Sequence, residues 1–193
     1  MQFEIAYRPG QSMARAVLAP GEQLVAESGA MVGMSTNVHM ETSSGGVMAG
    51  LKRMFGGESF FRNTFTAQNG PGEVLLGQTL CGDMVALDMT PEGYFVQSAS
   101  FIASSAGVNI DTKVGGVRSF FAGEGVFILK ATASQPGQLL LGAFGGIQEL
   151  RCDGNIVIDT GHLVAWDATL QYKVGKSGDG WIDSFLSGEG LVC

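Results

Sequence analysis

Ser119-Phe120-Phe121-Ala122-Gly123-Glu124-Gly125 decides how this chain is read, because altered copies of it stand on either side. The earlier copy is Arg53-Met54-Phe55-Gly56-Gly57-Glu58-Ser59, and the later one is Ser184-Phe185-Leu186-Ser187-Gly188-Glu189-Gly190. A fixed spacing of about 65 residues marks an internal repeat, which must be recognised before any single motif is interpreted.

Outward from these copies the repeat extends into β-forming sequence. Phe60 to Ala67 and Val126 to Ala133 are rich in Phe, Thr and Val and alternate in part, as strands do. Each leads to a Pro-Gly turn, Gly70-Pro71-Gly72 or Gln135-Pro136-Gly137. Glu73-Val74-Leu75-Leu76-Gly77 and Gln138-Leu139-Leu140-Leu141-Gly142 follow as continuous apolar runs, which predicts strands buried on both faces. Asp83 to Asp88 and Ile147 to Arg151 read as further strands, and Asp153-Gly154 is a two-residue hairpin signal.

A second recurring element is a Ser/Thr-small-small-apolar hairpin. It occurs in Gln23 to Val32, Tyr94 to Ile102 and Asn155 to Val164, aligned on Ser28, Ser98 and Thr160. The chain thus divides into a half-unit over 1–50, full units over 51–116 and 117–180, and a truncated half-unit over 181–193, all within one domain spanning 1–193. A unit split between the ends fits a closed, roughly threefold arrangement with no open sheet edge. Closure of that kind leads us to expect on the order of 30 further residues beyond Cys193, or completion by another subunit. Helical spacing is confined to short pieces at Leu51–Phe55, Val117–Phe121 and Trp181–Leu186, each bounded by glycines.

Composition narrows the function. The 193 residues include 45% hydrophobic and 15% charged side chains, thirty glycines and five prolines, which suits short strands and tight turns and excludes a disordered chain. A net charge of −7 argues against nucleic acid, whose phosphates require clustered cations. Cys81, Cys152 and Cys193 lack any Cys-x-x-Cys pair, so neither a disulfide framework nor a zinc cage is indicated, and buried free thiols are expected. No signal peptide or membrane-spanning run is visible, which points to a soluble protein and a cytoplasmic location.

Candidate functional residues fall in two groups. Glu58, Glu124 and Glu189 share one column, and around a closed axis they would form a ring able to hold a cation or small ligand. A carboxylate after glycine at a strand start also serves by accepting backbone N–H bonds, and this structural role is favoured. Met48, Leu51, Lys52, Arg53, Met54 and Phe55 combine two basic heads with an apolar face, in the manner of a membrane-surface or partner-docking helix. The alternative is a core-facing helix whose charges sit in water. His39 and His162 occupy non-equivalent columns, no Gly-x-Ser-x-Gly elbow is present, and the glycine pairs lack the spacing and lysine of a phosphate loop. No catalytic set, metal site or cofactor is expected.

The Gly-Leu-Lys-Arg and Gly-Glu-Ser motifs between Gly50 and Phe65, together with Glu27-Ser28-Gly29-Ala30-Met31 and Gly72 to Gly77, resemble the altered-inheritance-of-mitochondria protein 24 family, formerly domain of unknown function 124. The resemblance spans essentially the whole chain. It implies an all-β fold similar to the tryptophan-attenuator-like, double-stranded β-helix-like proteins, with internal pseudo-threefold character. It also implies homo-oligomers, a trimer being favoured, and supplies no catalytic residues. Members of that family carry a further strand pair after the Gly-Glu-Gly, which this chain lacks. The leading expectation is a non-enzymatic scaffold that binds a protein partner or a membrane surface; a ligand- or metal-binding β protein using the glutamate column is the alternative.

Overall fold

The computed structural model describes residues 1–42, 62–111, 128–173, 175–176 and 191–192. Within them the chain is all-β. In order the strands are β1 (Phe3–Ala6), β2 (Met13–Leu18), β3 (Gln23–Glu27), β4 (Met31–Met34), β5 (Val38–Thr42), β6 (Arg62–Ala67), β7 (Gly72–Leu76) and β8 (Gly82–Asp88). They continue as β9 (Tyr94–Gln97), β10 (Phe101–Ser105), β11 (Val108–Asp111), β12 (Ile128–Ala133), β13 (Gln138–Phe144), β14 (Ala165–Asp167), β15 (Gly175–Lys176) and β16 (Leu191–Val192). Two 3-10 turns, Ser98–Ser100 and Thr160–His162, are the helical elements among the described residues.

Three antiparallel sheets carry the structure. The first has the order β1-β2-β7-β4, the second β5-β6-β3-β10-β13-β8, and the third β11-β12-β9-β14. A short β15-β16 pair is separate. One apolar core gathers Leu18, Leu24, Phe65, Leu76, Met84 and Leu140 from the first two sheets. The other gathers Val96, Phe101, Leu129, Leu139 and Leu141 from the second and third. Because successive strand residues point to opposite faces, β13 serves both: Leu140 enters one core while Leu139 and Leu141 enter the other. Burying one leucine stabilises by about 1.5–3 kcal/mol, so this strand is a large contributor to both cores.

The two apolar runs that look alike in sequence differ here. Leu139 to Gly142 in β13 is buried on both faces, as continuous apolarity predicts, but β7 alternates, with Val74 and Leu76 buried and Glu73 and Leu75 half-exposed. The reason is position: β13 lies inside the shared second sheet, whereas β7 belongs to the first sheet and faces a core on one side.

Leu24 opposite Phe65 in β3-β6 is matched by Tyr94 opposite Ala131 in β9-β12, and Val38 opposite Ala67 in β5-β6 by Val108 opposite Ala133 in β11-β12. Even the irregularity recurs. The register of β4 on β7 shifts between Met31 and Gly33, and that of β10 on β13 shifts between Phe101 and Ala103. Local turn chemistry holds the first Pro-Gly turn: the Asn37 side chain donates to the carbonyls of Gln68 and Pro71 at 3.1 and 3.0 Å.

Three expectations are corrected. The Ser/Thr-small-small segments are steps between sheets rather than hairpins: β3 lies in the second sheet and β4 in the first, while β9 lies in the third and β10 in the second. Gly29, at φ 93°, turns the chain between β3 and β4 without a steric penalty. Residues 147–158 form no strand, and the Asp153-Gly154 signal is a bend without flanking strands. A turn signal makes a hairpin only where both limbs find ladder partners. Lastly, Cys81 and Cys152 are exposed rather than buried.

Candidate interaction surface

The two groups singled out by sequence, Glu58/Glu124/Glu189 and Met48/Leu51/Lys52/Arg53/Met54/Phe55, lie outside the described residues. Among the described residues no three His, Cys, Asp or Glu side chains converge as a metal site would require. His39 is exposed and stands 3.4 Å from Glu41, while His162 is the exposed last residue of the second 3-10 turn.

What the described structure presents instead is an apolar end beside a charged clamp. Val32 and Leu80 line a hollow of about 200 Å³ together with Gln11, Ser12, Gln78 and Cys81. Phe144, at the end of β13 opposite Gly82, lies close by in the ladder and is 80% exposed, and Leu80 is 62% exposed. Large apolar side chains gathered at such exposure mark an interaction surface more often than chance.

The hollow is braced from below. Arg8 Nε and Nη2 donate to the two carboxylate oxygens of Asp83 at 2.7 and 2.8 Å, and Ser12 Oγ and the Met84 N–H add bonds to Oδ1 at 3.0 and 2.8 Å. The Asp83 side chain is nearly buried, so its charge demands these partners. The Arg8 guanidinium, with the Met84 N–H and the Ser12 hydroxyl, holds that carboxyl well below the usual carboxylate range despite its burial. The clamp ties the turn after β1 to the start of β8, and Ser12 N donates to the Gly82 carbonyl at 3.0 Å.

A second surface lies on the third sheet, on the face away from its core. Phe95, Trp166 and Tyr172 pack with ring centroids 5.1 to 5.6 Å apart, and Lys130 Nζ sits 5.6 Å from the Phe95 centroid. Rings this close leave no gap for a ligand between them, so the trio reads as a satellite apolar cluster with a cation-π cap.

Glu27 stands apart as a carboxyl at the end of β3, opposite Arg62 on β6. Burial alone pushes it up to about 7. Neither the Asp83 clamp nor Glu27 was legible as special in the sequence. The clamp joins positions 71 and 75 residues apart, and Glu27 looks like any polar residue at a strand end. The one available signal for Glu27 is the repeat, since its matching position holds uncharged Gln97.

Three antiparallel sheets packed around two apolar cores define an all-β protein. The chain belongs to the family described as Mitochondrial biogenesis AIM24, which it matches over residues 3–193. It is 30% identical over 186 residues to Uncharacterized protein M6_Spy0233 of Streptococcus pyogenes serotype M6, across 91% of this chain and 73% of that protein. The X-ray crystal structure of protein SPYM3_0169 from Streptococcus pyogenes has a similar fold, with a TM-score of 0.80 at 26% identity, covering 99% of this chain and 87% of that one. No helix among the described residues is long and apolar enough to cross a membrane.

Proposed function

We propose that this protein is a non-catalytic cytoplasmic β scaffold that assembles with copies of itself, a trimer being favoured, and docks a protein partner or a membrane surface. The observation that carries the reading is the exposure of Val32 and Leu80, which line one hollow, and of Phe144, opposite Gly82 of the same lining in the ladder. Removing such side chains from water is the main driving force of association. The acidic net charge of −7 favours partners that are themselves neutral or basic on the contacting face. For a membrane, the basic pair Lys52/Arg53 with its apolar neighbours supplies the local cations that the whole chain lacks.

Solution mass of the wild type and of a Leu80→Ser/Phe144→Ser variant tests the assembly. A multimer that dissociates in the variant is expected, and a wild-type monomer at micromolar concentration would remove it. Co-sedimentation with anionic vesicles, comparing wild type with Lys52→Glu/Arg53→Glu, tests the membrane arm. Loss of pelleting in the variant is expected, and a wild type that does not pellet excludes that arm.

A further inference from the structure

β5 is an outer strand of the second sheet: β6 lies on one side of it, and no described strand lies on the other. Past Val38 its residues His39, Met40, Glu41 and Thr42 are all exposed. Such an edge offers a row of unpaired N–H and C=O groups to any extended strand, and folded proteins cover it or guard it with charge. The ladder fixes which residues of β5 offer them. Opposite residues of an antiparallel pair alternate between exchanging both backbone bonds and exchanging neither. Gln68 N donates to the Asn37 carbonyl at 2.8 Å, one step before Val38 opposite Ala67, whereas Ala67 N turns the other way, to the Glu22 carbonyl at 3.2 Å. His39 and Glu41 therefore point their backbone groups at β6, and Val38, Met40 and Thr42 point theirs at the open edge. Of these, the Val38 N–H is already taken by the Ser35 carbonyl at 3.0 Å.

The side chains of β5 are ordered so that the strand matches itself. Turned end for end, Val38-His39-Met40-Glu41-Thr42 lays Met40 on Met40, His39 on Glu41 and Val38 on Thr42. We propose that β5 pairs antiparallel with β5 of a second copy of this chain, in this register, about a two-fold axis through Met40. The backbone groups meet the need: Met40 N–H donates to the Met40 carbonyl of the second copy and receives the same bond in return. Thr42 N–H donates to the Val38 carbonyl of the second copy, so the occupied Val38 N–H is not required. A two-fold contact uses one patch twice, and a strand complementary to itself is such a patch.

Charge selects this register over its neighbours. A slip by one sets edge-facing residues against residues that face β6 and leaves the bonds unmade. A slip by two sets Glu41 against Glu41 in one direction and His39 against His39 in the other. In the proposed register His39 meets Glu41 at non-bonded positions, where side chains approach most closely and opposite charge is favourable. Within one chain His39 Nε2 already lies 3.4 Å from Glu41 Oε1, so pairing joins both couples into one strip. Met40, 38% exposed, is covered by its own copy. Among the outer strands of the three main sheets β5 alone carries a basic side chain together with an acidic one: β1, β11 and β14 hold only Glu4, Asp111 and Asp167, β8 holds Asp83 and Asp88, and β4 is uncharged. Charges that repel unrelated edges here admit the chain's own copy. The contact stands apart from the assembly proposed above, because none of Val32, Leu80 and Phe144 takes part.

Engineered cysteines test it in a background carrying Cys81→Ser, Cys152→Ser and Cys193→Ser. Met40→Cys is expected to oxidise to a dimer that reductant reverses, since a bonded antiparallel pair holds its Cα atoms about 5.5 Å apart, within disulfide reach. Thr42→Cys, equally exposed, would stand about 13 Å from its own copy and should not cross-link. Equal cross-linking of both variants, or none of Met40→Cys, overturns the proposal. Solution mass gives an independent reading. The unaltered protein should hold an even number of chains, and Met40→Pro, which removes the edge N–H but no bond to β6, should give an assembly of half that size. An odd number of chains, or a mass unchanged by Met40→Pro, counts against the pairing. His39→Glu should weaken the dimer roughly tenfold by setting like charges opposite each other, and His39→Glu/Glu41→Lys should restore it. Failure to restore it refutes the register. Met40→Cys should still cross-link when combined with Leu80→Ser/Phe144→Ser, which keeps this contact distinguishable from assembly through the apolar end.

Discussion

Glu27→Gln should make the protein more stable at neutral and alkaline pH while leaving it unchanged in mild acid. The folded carboxyl titrates at about 7 because burial disfavours its charge, against 4.5 in the unfolded chain. Below 4.5 both states hold the proton and the group contributes no pH dependence. Between 4.5 and 7 the unfolded state releases its proton while the folded state keeps it, so stability falls as pH rises. Above 7 both are ionised and the penalty is constant. At about 1.4 kcal/mol per pH unit the full gap would be worth about 3 kcal/mol, and partial exposure of the side chain reduces this to about 1.5 kcal/mol. Glutamine fits the site: Gln97 at the matching register donates from Nε2 to the Thr160 carbonyl at 3.0 Å. Urea unfolding of both proteins at pH 5, 6, 7 and 8 is the assay. The two stability curves should lie close at pH 5, converge below 4.5 and diverge to a plateau above pH 7, and parallel curves would refute burial as the cause.

Three further perturbations follow from the same structure. Arg8→Met leaves the nearly buried Asp83 carboxylate without its bidentate partner and should cost about 1–3 kcal/mol at pH 7. Since a depressed carboxyl contributes stability above 3.8 that is lost as pH falls below it, the deficit should shrink in urea titrations taken into acid. Leu140→Ala opens a cavity in a fully buried site and should cost about 3 kcal/mol, whereas Leu75→Ala, half-exposed on β7, should cost less than about 1 kcal/mol by the same measurement. Gly93→Ala combines φ 82° with a Cβ placed 2.1 Å from the Ala131 carbonyl and should lower the melting temperature strongly, while Gly29→Ala, at φ 93° in open space, should cost only about 1–2 kcal/mol.

Strand existence was legible wherever periodicity and turn chemistry agreed, as in Arg62–Ala67 and the two Pro-Gly turns. Which strand pairs with which lay beyond periodicity: Val38 stands opposite Ala67 and Val108 opposite Ala133, pairings between segments well separated in the chain. Sequence failed where the outcome depended on a neighbour. Glu73 to Leu76 and Gln138 to Leu141 are nearly the same string, yet only the second lies inside a sheet that is covered on both sides. Ile147 to Arg151 has strand composition but no ladder partner among the described residues, and its bonds are local: the Gln148 side chain donates to the Glu149 carbonyl at 2.8 Å, and Arg151 Nε donates to the Asp153 carboxylate at 3.1 Å. The hollow, the Asp83 clamp and Glu27 are products of distant segments meeting, which no local pattern records.

That β13 belongs to both cores has a kinetic meaning. A protein with two separate cores can open one while the other stays shut, and its amides then exchange in two groups at different depths. Here any motion that frees Leu139 and Leu141 also moves the strand holding Leu140, so opening either side loosens the other. The chain should therefore unfold as one unit, with the amides of Leu139 to Gly142 the last to exchange.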